Sequence, residues 1–459
     1  MYDVCVIGAG VVGSAVARLL SHQRLNIVLV DASNDVGAGT SKANTAILHT
    51  GFDATPGSIE AGLVARGYAM LRAYAPSVGI ALEETGAVLV AWTDDQAAAL
   101  PALIAKAHAN GYDAAALIDA AEVREREPRL GDGVVAGMVV PGEHIIDPWS
   151  TPIAFAREAI ANGATWRPGC RVTGFEFGDE HTVITAERGE AIEARFVVNA
   201  AGLFSDVVNE LAGASEFTVR PRRGELIVFD KLARPLLHGT VLPVPTATTK
   251  GVLVAPTVFG NVMVGPTADD IDDKTATGST RAGIDGLVAH ARRILPALAD
   301  EEVTSVYAGL RAATEHSDYQ LAHRPDLRYV CLGGIRSTGL TASMALAEET
   351  LRRLVECGLP SSPKRPDEIA PIRMTNLGEA GPRPYQQPRN TGIVCHCERV
   401  TRDEIVAACT TAPGATDLDG VRRRTRAVAG RCQGFACLAE VCTIAATATS
   451  TTPASWLHG

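Results

Sequence analysis

The chain has 459 residues, 46% of them hydrophobic and 20% charged, a globular balance in a length that exceeds one ordinary core, so two or three domains are expected. A net charge of −10 disfavours phosphate-backbone contacts as the main task, and nucleic acid is not an expected partner. No stretch reaches the ~18 uninterrupted apolar residues of a membrane helix, and the N-terminus opens into a strand pattern without an export signal, so a cytoplasmic protein is expected.

Tyr2 to Ile7 reads as a strand, and Gly8, Gly10 and Gly13 form G-x-G-x-x-G between it and an apolar-periodic helix through Val16, Leu19 and Leu20. Glycines at these positions let the backbone turn tightly and approach a pyrophosphate seated on the helix N-terminus. A second strand, Ile27 to Val30, ends at Asp31, near the ~20-residue offset at which a carboxylate accepts from ribose hydroxyls. The fingerprint leaves FAD and NAD open, because both share the adenosine diphosphate half.

Runs at Phe196–Asn199 and Tyr329–Leu332 alternate with helical patterns, an α/β layout. Residues 217–268 read as several strands with turns, an antiparallel substrate sheet inserted into the nucleotide-binding framework. Leu340, Met344, Leu351, Leu354 and Val355 recur at helical spacing, with Gly358 as the stop.

Residues 358–390 hold seven prolines and little periodicity, which predicts an extended connector between a body at 1–357 and another at 391–459. The first 390 residues carry 35 Lys+Arg against 46 Asp+Glu, whereas the rest carry 7 against 6. The two bodies therefore differ in electrostatic character.

Six of the ten cysteines lie in the last 65 residues, which reads as metal binding rather than disulfides. Cys395-His-Cys397 is followed after 34 residues by Cys432-Gln-Gly-Phe-Ala-Cys437. Four thiolates can ligate a 2Fe-2S cluster, and C-x-C departs from the usual zinc spacing. Thr401 and Glu404 fit a capping box just after the first pair. Cys409 reads as a buried small apolar residue, and Cys442 as the same or as a free thiol. Arg422, Arg423, Arg424 and Arg426 read as a solvated charged face, the alternatives being docking of an acidic partner or offset of a negative cluster. The Ala/Thr-rich tail from Thr443 shows little helical patterning.

Three segments, Gly39–Gly51, Val197–Gly202 and Gly333–Ser343, resemble the flavin segments of the D-amino-acid-oxidase-like superfamily. With Pro221–Glu225, Gly260–Thr267 and Tyr307–Arg311 they resemble the branch containing anaerobic glycerol-3-phosphate dehydrogenase large subunits and L-2-hydroxyglutarate dehydrogenases, over nearly the whole chain. The resemblance implies FAD in a Rossmann-like domain. Ser41 and Thr45 would lie near the flavin phosphates or ring, Asn44 to Gly51 beside the isoalloxazine, and Gly202, Gly334, Arg336, Gly339, Leu340 and Thr341 around the cofactor. Backbone N–H groups at the helix after Gly333–Gly339 could face the flavin pyrimidine and stabilise charge on the reduced ring. Cys-His-Cys-Glu-Arg-Val-Thr and Gly-Arg-Cys-Gln-Gly resemble the small, mainly helical bacterioferritin-associated-ferredoxin-like 2Fe-2S domain, with Phe435 where a second glycine is common.

Hydride transfer from a C–OH or C–NH group needs a nearby proton acceptor, and His49 is the first candidate, against a core histidine or a covalent link to flavin. An anionic substrate needs a bidentate cation. Arg311 is the best candidate, Arg336 the second, and Lys250 and Arg223 are further lining residues. The expected activity is dehydrogenation of a small anionic hydroxy compound, glycerol 3-phosphate or a 2-hydroxy acid. Electrons would leave through the cluster to an acceptor protein or partner subunit, through which the chain could associate with a membrane. The rivals are an amine-oxidising (amino acid or opine) dehydrogenase on the same fold, and an electron-transfer or redox-sensing module without its own substrate.

Overall fold

The computed structural model describes residues 1–245, 251–389 and 391–457, so Lys250 lies outside the described residues. Tyr2–Ile7 pairs in parallel with Ile27–Val30 on one side and Ile192–Asn199 on the other, and the latter pairs with Tyr329–Gly333. Where these four strands pair in parallel, at Val4–Ile7, Ile27–Val30, Phe196–Val198 and Tyr329–Leu332, they are continuous apolar runs because helices cover the sheet. The Val11–Ser21 helix packs between Ser150–Ala161 and Gly339–Glu356. In the last of these Met344 and Leu354 enter the core, while Val355 is 43% exposed because its position has rotated past the buried stripe.

The second sheet is built around the long antiparallel pair Val219–Phe229 and Val303–Thr314, in register Gly224 opposite Gly309. It continues through Val262–Gly265, Leu253–Pro256 and Thr240–Pro243. It is larger than the 217–268 segment suggests, because Ala87–Ala91, Ala136–Val140 and Ala116–Asp119 extend it from earlier in the chain. Thr240–Pro243 runs parallel to Ala87–Ala91, so the sheet is mixed.

Among its described residues the proline-rich stretch from 358 holds short 3-10 turns at Pro366–Glu368 and Pro384–Gln386 and an isolated bridge from Pro363 to Gln23. It is strapped to the large body rather than free. Met374 N–H donates to the Val78 carbonyl at 2.7 Å, Glu379 N–H to Val258 at 2.9 Å, and Leu359, Met374 and Leu377 are buried.

The C-terminal body carries helices Arg402–Thr410, Leu418–Thr425 and Leu438–Thr449 and a short hairpin, Ile393–Cys395 with Val400–Thr401. Thr401 and Glu404 form the expected capping box. The tail is helical to Thr449, against the reading from its composition. Alanine favours helix, and the hydroxyls of Thr443, Thr447 and Thr449 bond back to carbonyls four residues earlier instead of breaking it. Cys409 and Cys442 are buried in its apolar core.

The arginine run is not a solvated face. Arg423, Arg424 and Arg426 are only 4%, 7% and 5% exposed. Arg423 and Arg424 meet Asp35 of the nucleotide-binding body, and Arg426 meets Glu398. Among the described residues no helix is long and apolar enough to cross a membrane.

Candidate functional site

The strand-to-helix turn tolerates no side chain at two of its glycines. A Cβ on Gly8, at φ +104°, would lie 2.3 Å from the Ala200 carbonyl oxygen, and one on Gly13 would lie 1.8 Å from the Gly8 oxygen. Gly10 caps the helix without a side-chain hydrogen bond, and Val11 N–H donates to Ser41 Oγ at 2.9 Å. Asp31 accepts from Ala9 N–H at 2.6 Å and from Ser33 N–H at 2.7 Å. Burial raises its carboxyl above the usual range, and those two N–H groups oppose the rise. A helix N-terminus without a side-chain cap, a bare glycine face and a carboxylate at the end of the second strand fit a dinucleotide.

A cavity of about 130 Å³ opens beside this turn and is lined by Gly10, Ser41, Thr45, His49, Gly202, Gly334, Arg336, Gly339 and Leu340, so the structure brings most of the expected cofactor positions together. Thr341 is wholly buried behind it and accepts the His49 backbone N–H at 3.0 Å. The Gly339–Glu356 helix begins at this cavity without a side-chain cap, because the Thr338 hydroxyl is engaged by Glu60 and Tyr319. Its first N–H groups and dipole are thus available to an electron-rich ligand.

His49 Nδ1 lies 2.9 Å from Glu143 Oε2. Glu143 is 1% exposed, and its other oxygen accepts from Thr50 N–H at 2.6 Å and Thr50 Oγ1 at 2.8 Å. Sequence reasoning misses Glu143, which lies 94 residues from its partner in no recognisable motif.

Arg311 lines neither this cavity nor the larger one described below. Its guanidinium reaches the Thr267 carbonyl at 3.3 and 3.4 Å, and among the described residues it has no carboxylate partner. Burial, with Arg222 nearby, pulls its pKa down to about 10. It shares a strand face with Gly309, which is packed on Ala43, and Tyr307, whose hydroxyl donates to the Asn44 carbonyl at 2.9 Å. Arg223 lies 3.8 Å from Asp269, also away from His49's cavity.

The four cysteines face one another in two pairs, Cys395 with Cys437 and Cys397 with Cys432. Backbone N–H groups of Ala436, Gly434 and Phe435 lower the Cys432 pKa, while burial and Cys395 push Cys437 up to about 12. A Cβ on Gly430 would lie 2.3 Å from Cys397 Cβ, so glycine is needed there for the pairs to close. Among the described residues no three acidic, His or Cys side chains are arranged around a single ion. An all-thiol set in two pairs fits a cluster with two terminal sulfurs per iron.

Fold and site together define a flavin oxidoreductase joined to an iron–sulfur module. The chain belongs to the FAD dependent oxidoreductase (DAO) family, which matches residues 3–353, and residues 393–446 match the BFD-like [2Fe-2S] binding domain. It is an FAD enzyme carrying a 2Fe-2S module. It is 34% identical over 453 residues to the glycerol 3-phosphate dehydrogenase of Caloramator mitchellensis, covering 97% of this chain and 94% of that one. It is 29% identical to human mitochondrial L-2-hydroxyglutarate dehydrogenase over 58% of this chain and 61% of that protein. Among solved structures it resembles dithionite-reduced L-alpha-glycerophosphate oxidase from Mycoplasma pneumoniae with FAD bound, at TM-score 0.76 and 28% identity over 81% of this chain and 98% of that one.

Proposed function

We propose that the chain dehydrogenates glycerol 3-phosphate, or a small hydroxylated anion of that class, and passes the electrons through its iron–sulfur module to an acceptor protein or partner subunit. The observation that carries this reading is the His49–Glu143 pair at the edge of the flavin cavity. The similarity to a glycerol 3-phosphate dehydrogenase over both domains adds to it. When bound, FAD supplies the hydride acceptor and the 2Fe-2S cluster a one-electron outlet.

Glu143 accepts from Thr50 twice, so it presents an acceptor oxygen to His49 and holds the ring as the Nδ1–H tautomer. Nε2 is then the nitrogen that takes the hydroxyl proton, and buried Glu143 stabilises the resulting imidazolium. The Thr341 hydroxyl fixes the His49 backbone, so the ring is aimed from two sides. Arg311, a guanidinium that among the described residues has no carboxylate partner, lies on the strand face toward Ala43 and Asn44 and is assigned to the anionic end of the substrate. Arg336 lines the cavity as a second cation. Gly8, Gly10, Gly13, Asp31, Ser41 and Thr45 are assigned to FAD, and Cys395, Cys397, Cys432 and Cys437 to the cluster.

Anaerobic bleaching of the bound flavin against a substrate panel tests the proposal. Glycerol 3-phosphate or a 2-hydroxy acid is expected to reduce it. Reduction by amino acids alone would move the assignment to amine oxidation, and reduction by none would remove the substrate site.

A further inference from the structure

A second cavity, of about 700 Å³, lies between the two domains, and no step of the proposed reaction uses it. One wall is the loop Ala38–Asn44, whose Thr40 and Asn44 also line the flavin cavity. The opposite wall includes Ala429 and Gln433, the latter adjacent to Cys432. One space therefore touches both the flavin loop and the cluster loop. Its volume falls in the range of small-molecule sites, roughly 300–1,000 Å³.

The chemistry of the walls is specific. Trp149 and Phe259 stack with centroids 5.3 Å apart, and Arg426 lies 4.1 Å over the Phe259 ring. Lys42, Lys274, Arg422 and Arg423 also face the space. The chain as a whole is acidic, yet here the carboxylates are outnumbered. Asp419, shared by Lys42 and Arg422, is the one carboxylate among the lining residues, against five lining cations; of the others, Lys274 pairs with Asp206, Arg426 with Glu398, and Arg423 with Asp35, which Arg424 also holds.

From this juxtaposition we infer that the interdomain cavity binds a mononucleotide-class ligand, a planar heteroaromatic ring carrying one phosphate. The aromatic pair offers the ring a stacking wall, and the excess cations offer the phosphate charge-assisted donors. The inference concerns a site separate from that of His49 and does not depend on the identity of the oxidised substrate.

The test uses the full-length protein loaded with FAD and iron. Nucleotides released on denaturation are separated and quantified, and the protein is then titrated calorimetrically with FMN, AMP and inorganic phosphate. The expected result is one equivalent of a monophosphate nucleotide or flavin, either co-purifying or bound on titration, with inorganic phosphate at least tenfold weaker. The double variant Lys42→Gln/Arg422→Gln and the separate variant Phe259→Leu should each weaken that binding roughly tenfold or more while retaining FAD and iron. No nucleotide binding by protein that retains both cofactors would overturn the inference. So would phosphate binding as tightly as the nucleotides, which marks an anion site only, or binding untouched by both variants.

Discussion

Arg424 and Asp35 meet as a bidentate pair across the boundary between the two domains, with Nη1 to Oδ2 and Nη2 to Oδ1 both at 2.7 Å. The side chains are only 3% and 1% exposed, and Arg423 shares the same carboxylate. Burial alone would raise the Asp35 carboxyl, but the two guanidinium groups overcome it and hold it below the usual range. The iron–sulfur domain is thereby fixed on the nucleotide-binding body four residues beyond Asp31.

Replacing Asp35 with Asn should destabilise the protein by about 3–5 kcal/mol, because it leaves two buried guanidinium groups uncompensated. Equilibrium denaturation of the cofactor-loaded protein measures this. A change within about 1 kcal/mol, the range of exposed pairs, would show that the pair does not hold the domains together.

Stability should fall on the acid side. Glu158 is buried, which would raise its carboxyl, but His22, Arg18 and Tyr74 hold it down at about 2. Asp35 is depressed as well. A folded-state pKa below the unfolded value contributes stability above the unfolded pKa and loses it as pH falls through the folded one. The denaturation midpoint is therefore expected to drop progressively from about pH 4.5 toward about pH 2. Glu158→Gln should flatten that drop, and a midpoint rising in this window would contradict the pairing.

His49→Ala should slow anaerobic flavin reduction by roughly 10²–10⁴-fold, the usual contribution of a general base. Glu143→Gln should slow it as well and change its pH dependence, because an amide that donates to Nδ1 inverts the tautomer and leaves the proton on Nε2. Rates measured across pH with both variants separate a proton acceptor from a packing residue. An unchanged rate in His49→Ala would exclude it as the base.

Arg311→Gln should raise KM for an anionic substrate roughly tenfold to a hundredfold, the loss of one charge-assisted contact. Flavin content should stay unchanged. Equal KM values for variant and parent would assign Arg311 to structure alone.

The nucleotide turn is legible in the sequence because Gly8, Gly10, Gly13 and Asp31 lie within one strand–helix–strand unit, where local geometry dictates residue type. The cysteine spacing is legible for the same reason. Arg423 and Arg424 are not, since their partner Asp35 lies 388 and 389 residues away and a run of arginines looks solvated until its carboxylate is found. Glu143 is hidden likewise, because only the Ile47–Leu48 and His144–Ile146 strand pairing brings it to His49. The Leu438–Thr449 helix escapes detection because alanine and threonine give its buried face little contrast with its exposed one.

The most direct measurement is rapid anaerobic mixing of the holoenzyme with glycerol 3-phosphate, following flavin absorbance together with the electron paramagnetic resonance of the reduced cluster. Flavin absorbance should fall first and the cluster signal should follow, whereas in Cys432→Ser the flavin should be reduced with no cluster signal. Flavin untouched by glycerol 3-phosphate and by 2-hydroxy acids, or reduced flavin beside a cluster that stays oxidised, would contradict the account.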